Sequence, residues 1–325
     1  MKKLLCFLLV LITFSFLGSA CENKKGVSIY APDGAPALSL TSFIDKNFEN
    51  TNVSIIDSKK IGATITGKNP KADICILPIN MASTLIGDGK TYKMIGTITH
   101  GNFYFLSSKL SSINLSNLES LKGKILGVIQ LNNVPGLTLK CSLKNNDVDY
   151  KEISSISEKD ENKVNLLPIS NLELANNDID VFLIPSPLAD IKSSTTSLKI
   201  VGSLQEIYGE NGFPQAIVVA KSSLLNDNLK FVKSFILELK NSNEFLLNTS
   251  KEKICSLILG CLESGLTPTF NKNNLTDNSI ANSNIKFVSA KENKQEVISF
   301  IQKLKEIEPS SANTLSEDFF YLGDL

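Results

Sequence analysis

Short apolar runs alternate along this chain with longer stretches in which apolar positions recur every three or four residues. Strand-length runs rich in β-branched residues fall at 27–31, 53–56, 71–77, 92–99, 102–107, 124–130, 150–153, 180–184, 198–202, 213–220 and 285–288. Helical spacing is predicted over 35–48, 81–86, 115–121, 137–143, 171–176, 229–247, 251–262 and 291–307, with a charged loop at 154–165. Strands that alternate with helices predict an α/β protein with mostly parallel sheets flanked by helices. One unit ends near residue 123 and a smaller one spans 124–212. The last third is helix-rich and too poor in strands to build its own sheet, so it is expected to pack back on the first unit. That gives a first lobe of 27–123 plus 213–325 and a second of 124–212, with crossings near 107–124 and 204–214. Phe319, Phe320 and Tyr321 are expected to dock the tail on the body.

The amino terminus has a different texture. Met1-Lys2-Lys3 precedes an almost wholly apolar segment from Leu4 to Leu17, then Gly18-Ser19-Ala20 and Cys21. Basic, apolar and small segments in that order form a secretory signal, and the apolar part is shorter than the roughly 20 residues of a membrane span. Cys21 directly after the small residues resembles a bacterial lipoprotein signal. The resemblance implies removal of 1–20, lipidation of Cys21, a polar tether over 21–26 and a folded part held outside the cytoplasm at a membrane.

Composition narrows the function. Basic and acidic residues balance at 33 each, without the basic excess of a nucleic-acid binder. A single His makes His-rich metal sites and most His-based catalysis improbable, and no metal or cofactor is expected. Trp is absent and aromatics are 7%, which weakens stacking-based recognition. No GxSxG, HExxH, GxGxxG or P-loop pattern occurs, so a binding protein is favoured over an enzyme. Cys75, Cys141, Cys255 and Cys261 form no CxxC and read as small buried hydrophobes; a continuous helix would hold Cys255 and Cys261 too far apart to bridge.

Candidate ligand contacts sit in turns after strands, because open α/β sheets bind ligands beyond their carboxyl edges. Gly34, Ala35 and Pro36 follow the first strand, where Gly permits a strained turn and Pro suits a first helical turn. Asn80 and Met81 follow the third. His100 and Asn102 flank Gly101, and Asn133 and Gly136 open the second unit's first helix. Asn both donates and accepts without carrying charge, and Asn80, Asn102 and Asn133 are expected around one cleft, although Asn is also common in turns and caps.

These residues carry a family likeness. Residues 27–38 (VSIYAPDGAPAL), 71–82 (KADICILPINMA) and 118–128, with Leu121-Lys122-Gly123-Lys124, resemble the substrate-binding proteins of ATP-driven (ABC) importers. The branch resembled includes the nitrate, sulfonate and taurine binders and the thiamine-precursor proteins. The segment 180–185 (DVFLIP) is similar to that family's later strand near the cleft, which adds Pro185 and Ser186 to the candidates. The likeness spans about 27–220. It implies a type II periplasmic-binding fold, two lobes with a ligand cleft between them, and a monomer that delivers a small molecule to an ABC permease. No Arg stands as a sulfonate or carboxylate clamp, so a neutral or heterocyclic ligand held by backbone groups, Asn and Tyr104 is expected. An envelope sensor or adaptor on the same fold is the alternative, followed by an enzyme of the thiamine-precursor type.

Overall fold

The computed structural model describes residues 26–109, 113, 115–170, 177–209 and 212–325. The signal segment, Cys21 and the expected helix at 171–176 lie outside the described residues. Two six-stranded sheets make two lobes. The first holds β1 (Val27–Pro32), β2 (Thr51–Ile56), β3 (Ile74–Pro78), β4 (Tyr92–Thr99), β11 (Ala216–Lys221) and β12 (Ile285–Ser289), in the order β2-β1-β3-β11-β4-β12. The second holds β5 (Phe103–Ser107), β6 (Ile125–Ile129), β7 (Tyr150–Glu152), β8 (Val164–Ile169), β9 (Val181–Pro185) and β10 (Lys199–Ser203), in the order β7-β8-β6-β9-β5-β10.

Both lobes follow one plan. β1 lies between β2 and β3 in parallel, and β6 lies between β8 and β9 in parallel. An antiparallel strand then follows: β11 beside β3 in the first lobe, β5 beside β9 in the second. Each of these two strands is the first one made after the chain crosses from the other lobe. Both sheets are therefore mixed: in the second only β5 runs against the others, while in the first β11 and β12 both do. The first crossing runs through residues 100–102, not 107–124, and β5 belongs to the second lobe. The sequence could not assign β5, because a strand buried on both faces carries the same apolar run in either sheet.

The shared plan extends to side chains. Asp73 directly precedes β3 and Asp180 directly precedes β9. Asp73 Oδ2 accepts the N–H of Ser28 at 2.9 Å and its Oδ1 pairs with Lys221 Nζ at 2.8 Å. Asp180 Oδ2 accepts the N–H of Ile125 at 2.8 Å and its Oδ1 pairs with Lys109 Nζ at 2.8 Å. Each carboxylate thus ties the starts of two parallel strands and receives a Lys from the end of the antiparallel one. The likeness between ADIxIxP at 72–78 and DVxLxP at 180–185 reflects a repeated structural clasp.

Helices cover both sheets. In the first lobe lie α1 (Ala35–Ser39), α2 (Thr41–Lys46), α3 (Ile79–Ile86), α7 (Ser222–Asp227), α8 (Leu229–Asn248), α9 (Lys251–Leu259), α10 (Asp277–Ala281) and α11 (Ala290–Ile307). In the second lie α4 (Val134–Asn145), α5 (Leu188–Thr195) and α6 (Leu204–Tyr208). The amphipathic face of α8 buries Phe235 against Phe43, ring centroids 5.0 Å apart, and α11 buries Val297, Phe300, Ile301 and Leu304. Phe319 and Phe320 are buried, and Tyr321 N–H donates to Met94 O at 2.9 Å, which docks the tail beside β4. Cys75, Cys141, Cys255 and Cys261 are free thiols. Burial pushes the Cys75 thiol up to about 12. No helix among the described residues is long and apolar enough to cross a membrane.

Candidate functional site

The carboxyl ends of β1 and β3 meet those of β6 and β9 across the gap between the lobes, and a cavity of about 240 Å³ lies there. The first lobe supplies Pro32, Asp33 and the start of α1, together with Pro78, Ser58 and Thr269. The second supplies Ile129, Gln130 and the turn from Pro185 to Leu188. The crossing segments close its back with Asn102, Phe103, Gln215 and Ala216. This is where strand ends in an α/β sheet leave side chains free of the ladder.

The turn after β1 is built by Gly34, whose φ of 95° suits glycine, and no atom lies within 4 Å of the place a Cβ would occupy. Pro36 then starts α1 without an N–H to satisfy. Asp33 is held by Thr269, which donates from its backbone N at 2.6 Å and its hydroxyl at 2.7 Å, both to Oδ2. The other oxygen of Asp33, Oδ1, is buried with no hydrogen-bond partner.

Asn102 is equally well fixed. Its Nδ2 donates to Ser186 O at 2.7 Å, its backbone carbonyl accepts from Ser186 N at 2.8 Å, and its backbone N donates to Gln215 Oε1 at 3.1 Å. Asn102 is 2% exposed, and its Oδ1 also has no partner. Ser186 directs its hydroxyl to Asp190 Oδ2 at 2.5 Å. Two residues that line the cavity thus each hold a buried acceptor oxygen without a partner. Asp33 has the one charged side chain among the cavity's described lining residues, and the chain contains no arginine.

Of the residues expected at the site, Gly34, Ala35, Pro36, Asn102, Pro185 and Ser186 line this cavity. Asn80, Met81, His100, Tyr104, Asn133 and Gly136 do not. Asn80 and Asn133 do meet, Nδ2 to Oδ1 at 3.4 Å, but in a separate contact that joins α3 to the start of α4 and reaches Ser311 O at 3.5 Å. Met81 packs its Sδ over Gly62, 3.2 Å from where a Cβ would stand. His100 lies in the crossing, where its Nε2 is 3.0 Å from Lys286 O and so carries the proton in the neutral ring. Burial lowers its pKa. Tyr104 donates its hydroxyl to Asn282 O at 3.2 Å; burial first, and then the Asp190 charge, push it up to about 12. Gly136 is a packing residue, since a Cβ there would fall 1.8 Å from Leu131 O.

The sequence reading missed Asp33 itself, Thr269, Gln215, Gln130 and Ser58. Asp33 stood beside the Gly-Ala-Pro turn and was visible; Thr269, 236 residues away in sequence, was not. Among the described residues no three His, Cys, Asp or Glu side chains are grouped to hold a metal ion.

No family model matches the chain, and no curated protein matches it in sequence. Solved structures do match it over nearly its whole length. An ABC transporter protein from Parabacteroides distasonis superposes with a TM-score of 0.69 at 20% identity, covering 92% of this chain and 99% of that one. The periplasmic aliphatic sulphonate binding protein SsuA from Escherichia coli gives 0.63 at 11% identity, covering 91% and 96%. The ligand binding component of an ABC-type import system from Staphylococcus aureus, with zinc bound, gives 0.59 at 10% identity, covering 92% and 97%. Together with the two mixed sheets and the cavity between them, these matches establish that the chain has the two-lobed α/β fold of ABC-transporter substrate-binding proteins.

Proposed function

We propose that this protein is an extracytoplasmic solute receptor of an ABC importer, a monomer held at the membrane by a lipid on Cys21. It captures one small polar or heterocyclic molecule by closing its lobes and delivers it to a permease; it performs no catalysis. The observation that carries this reading is the placement of the cavity. It lies between two lobes joined by two adjacent crossing segments, at residues 100–102 and 212–215, so rotation about those segments opens or closes the cavity without breaking either sheet. Glycine at 101 and 212, with φ of 80° and 69°, supports a bend in both segments. The fold likeness to SsuA and the other importer proteins points the same way.

The test is scattering of the purified protein with and without each ligand found by calorimetric screening of small polar compounds. Binding with a contraction of the particle is the expected result; a bound ligand with no change in either lobe angle or dimensions would remove the receptor mechanism. Anchoring is tested separately. Cys21→Ser should release the protein from the membrane fraction, and mass spectrometry of the native N-terminus should show acyl chains on Cys21.

A further inference from the structure

We infer that the cavity takes a small organic cation, an amine, amidine or guanidine with an apolar body, whose N–H groups donate to Asp33 Oδ1 and Asn102 Oδ1. The inference rests on the solute-receptor reading and names the ligand class that site would take. Both oxygens are buried without a partner, and both belong to residues that line the same cavity. A buried acceptor left unsatisfied costs free energy, and more so when it is charged. Here neither oxygen can turn to find a donor. Thr269 holds the other oxygen of Asp33 with two bonds, and Asn102 has its side chain held by Nδ2 donating to Ser186 O and its main chain by two further bonds. Such fixed, unfilled acceptors are complementary to a ligand rich in N–H donors.

Charge decides between a neutral ligand and a cation. No lysine lines the cavity and the chain has no arginine, so nothing in the wall balances Asp33. A sulfonate or carboxylate would place a second negative charge beside it in a partly dehydrated space, where like charges repel strongly. At the two helix starts that face the cavity, Pro36 and Pro187 each remove one N–H from the groups that could face an anion. Phe103, Ile129, Leu188 and Pro32 supply the apolar walls for the rest of the ligand.

The experiment is calorimetry of the purified protein against 2-phenylethylamine, 2-phenylethanol and 2-phenylethanesulfonate, which share one apolar body. A wider thermal-shift library of amines, amidines, neutral amides, heterocycles and organic anions supplies closer fits. Cations should bind at least about tenfold more tightly than matched neutral compounds, and anions should not bind. Asp33→Asn keeps an acceptor for Thr269 and removes the charge. It should lose at least about tenfold in affinity for the best cation while melting as the wild type does. An anion or neutral compound that outcompetes its matched amine overturns the inference and leaves the receptor reading intact. So does an Asp33→Asn variant that binds the amine unchanged. If Asp33→Asn fails to fold, the wild-type ranking of the three phenylethyl compounds decides alone. A cation that binds with no lobe closure overturns the receptor reading instead, and a library with no binder of any class overturns both.

Discussion

Gly136 and His100 lie outside the lining of the cavity, and each has a structural task. The first turn of α4 presses on the carbonyl of Leu131, so Gly136→Ala would set a Cβ 1.8 Å from that oxygen. The backbone must shift to make room, and urea unfolding should show a loss of about 1–3 kcal/mol. His100 is buried in the first crossing and donates to Lys286 O. Burial holds its imidazole below the ordinary 6.5, so the unfolded chain binds a proton more readily than the folded one. Its contribution to stability is complete above pH 6.5 and declines as pH falls from 6.5 toward the depressed folded-state value. Unfolding midpoints measured from pH 8 to pH 5 should therefore fall less steeply for His100→Gln, whose side-chain amide can still donate to Lys286 O. Equal slopes for the two proteins would refute this.

At the level of elements, the two Asp clasps matter more to stability than to binding. Each accepts a strand N–H and a Lys, and neither lines the cavity. Asp73→Ala and Asp180→Ala should each cost about 1.5–3 kcal/mol in denaturant unfolding, with ligand affinity unchanged. A smaller effect is expected at the start of α11. There Ser289 Oγ accepts from Glu292 N at 3.3 Å, and Ser289 N donates to Glu292 Oε2 at 3.1 Å. Ser289→Ala should lower stability by about 0.5–2 kcal/mol. Ser289 to Glu292 is a capping box written plainly in the sequence, and the helix that follows was correctly expected. β8 and α5 were not. Asn165 and Pro168 make β8 look like loop, and α5 is bounded by Pro187 and carries a run of Ser and Thr. Both form because their apolar residues, Val164 and Leu166 in one and Ala189 and Ile191 in the other, find buried places that local preference does not reveal.

The whole molecule is held in its present arrangement by contacts beside the cavity. Asn282 Nδ2 donates to Asp190 Oδ1 at 2.7 Å, from the end of α10 to α5. Tyr104 donates to the carbonyl of the same Asn282, and on the other side Cys141 Sγ lies 3.5 Å from Lys303 O. Asn282→Ala removes the bond to Asp190 and leaves the one to Tyr104, which uses the main chain. The lobes should close less firmly. Ligand affinity should fall by a factor corresponding to about 1 kcal/mol, with faster dissociation in stopped-flow. An unchanged dissociation rate would show that this contact does not contribute to closure.

The sequence by itself determined the α/β class, the order of most elements and the turns after the strands, because strand and helix periods are local properties of a chain that must bury one face. It also placed Gly34, Ala35, Pro36, Asn102, Pro185 and Ser186 at positions that line the cavity. Tertiary structure alone decided that β5 crosses to the second sheet, that Asn80 and Asn133 meet each other away from the cavity, and that Thr269 fixes Asp33 from a distant part of the chain. These depend on which buried surfaces pair and on which polar atoms are left without partners once they have. No window of sequence contains that information, since an unfilled acceptor such as Asp33 Oδ1 exists only after the rest of the chain has closed around it.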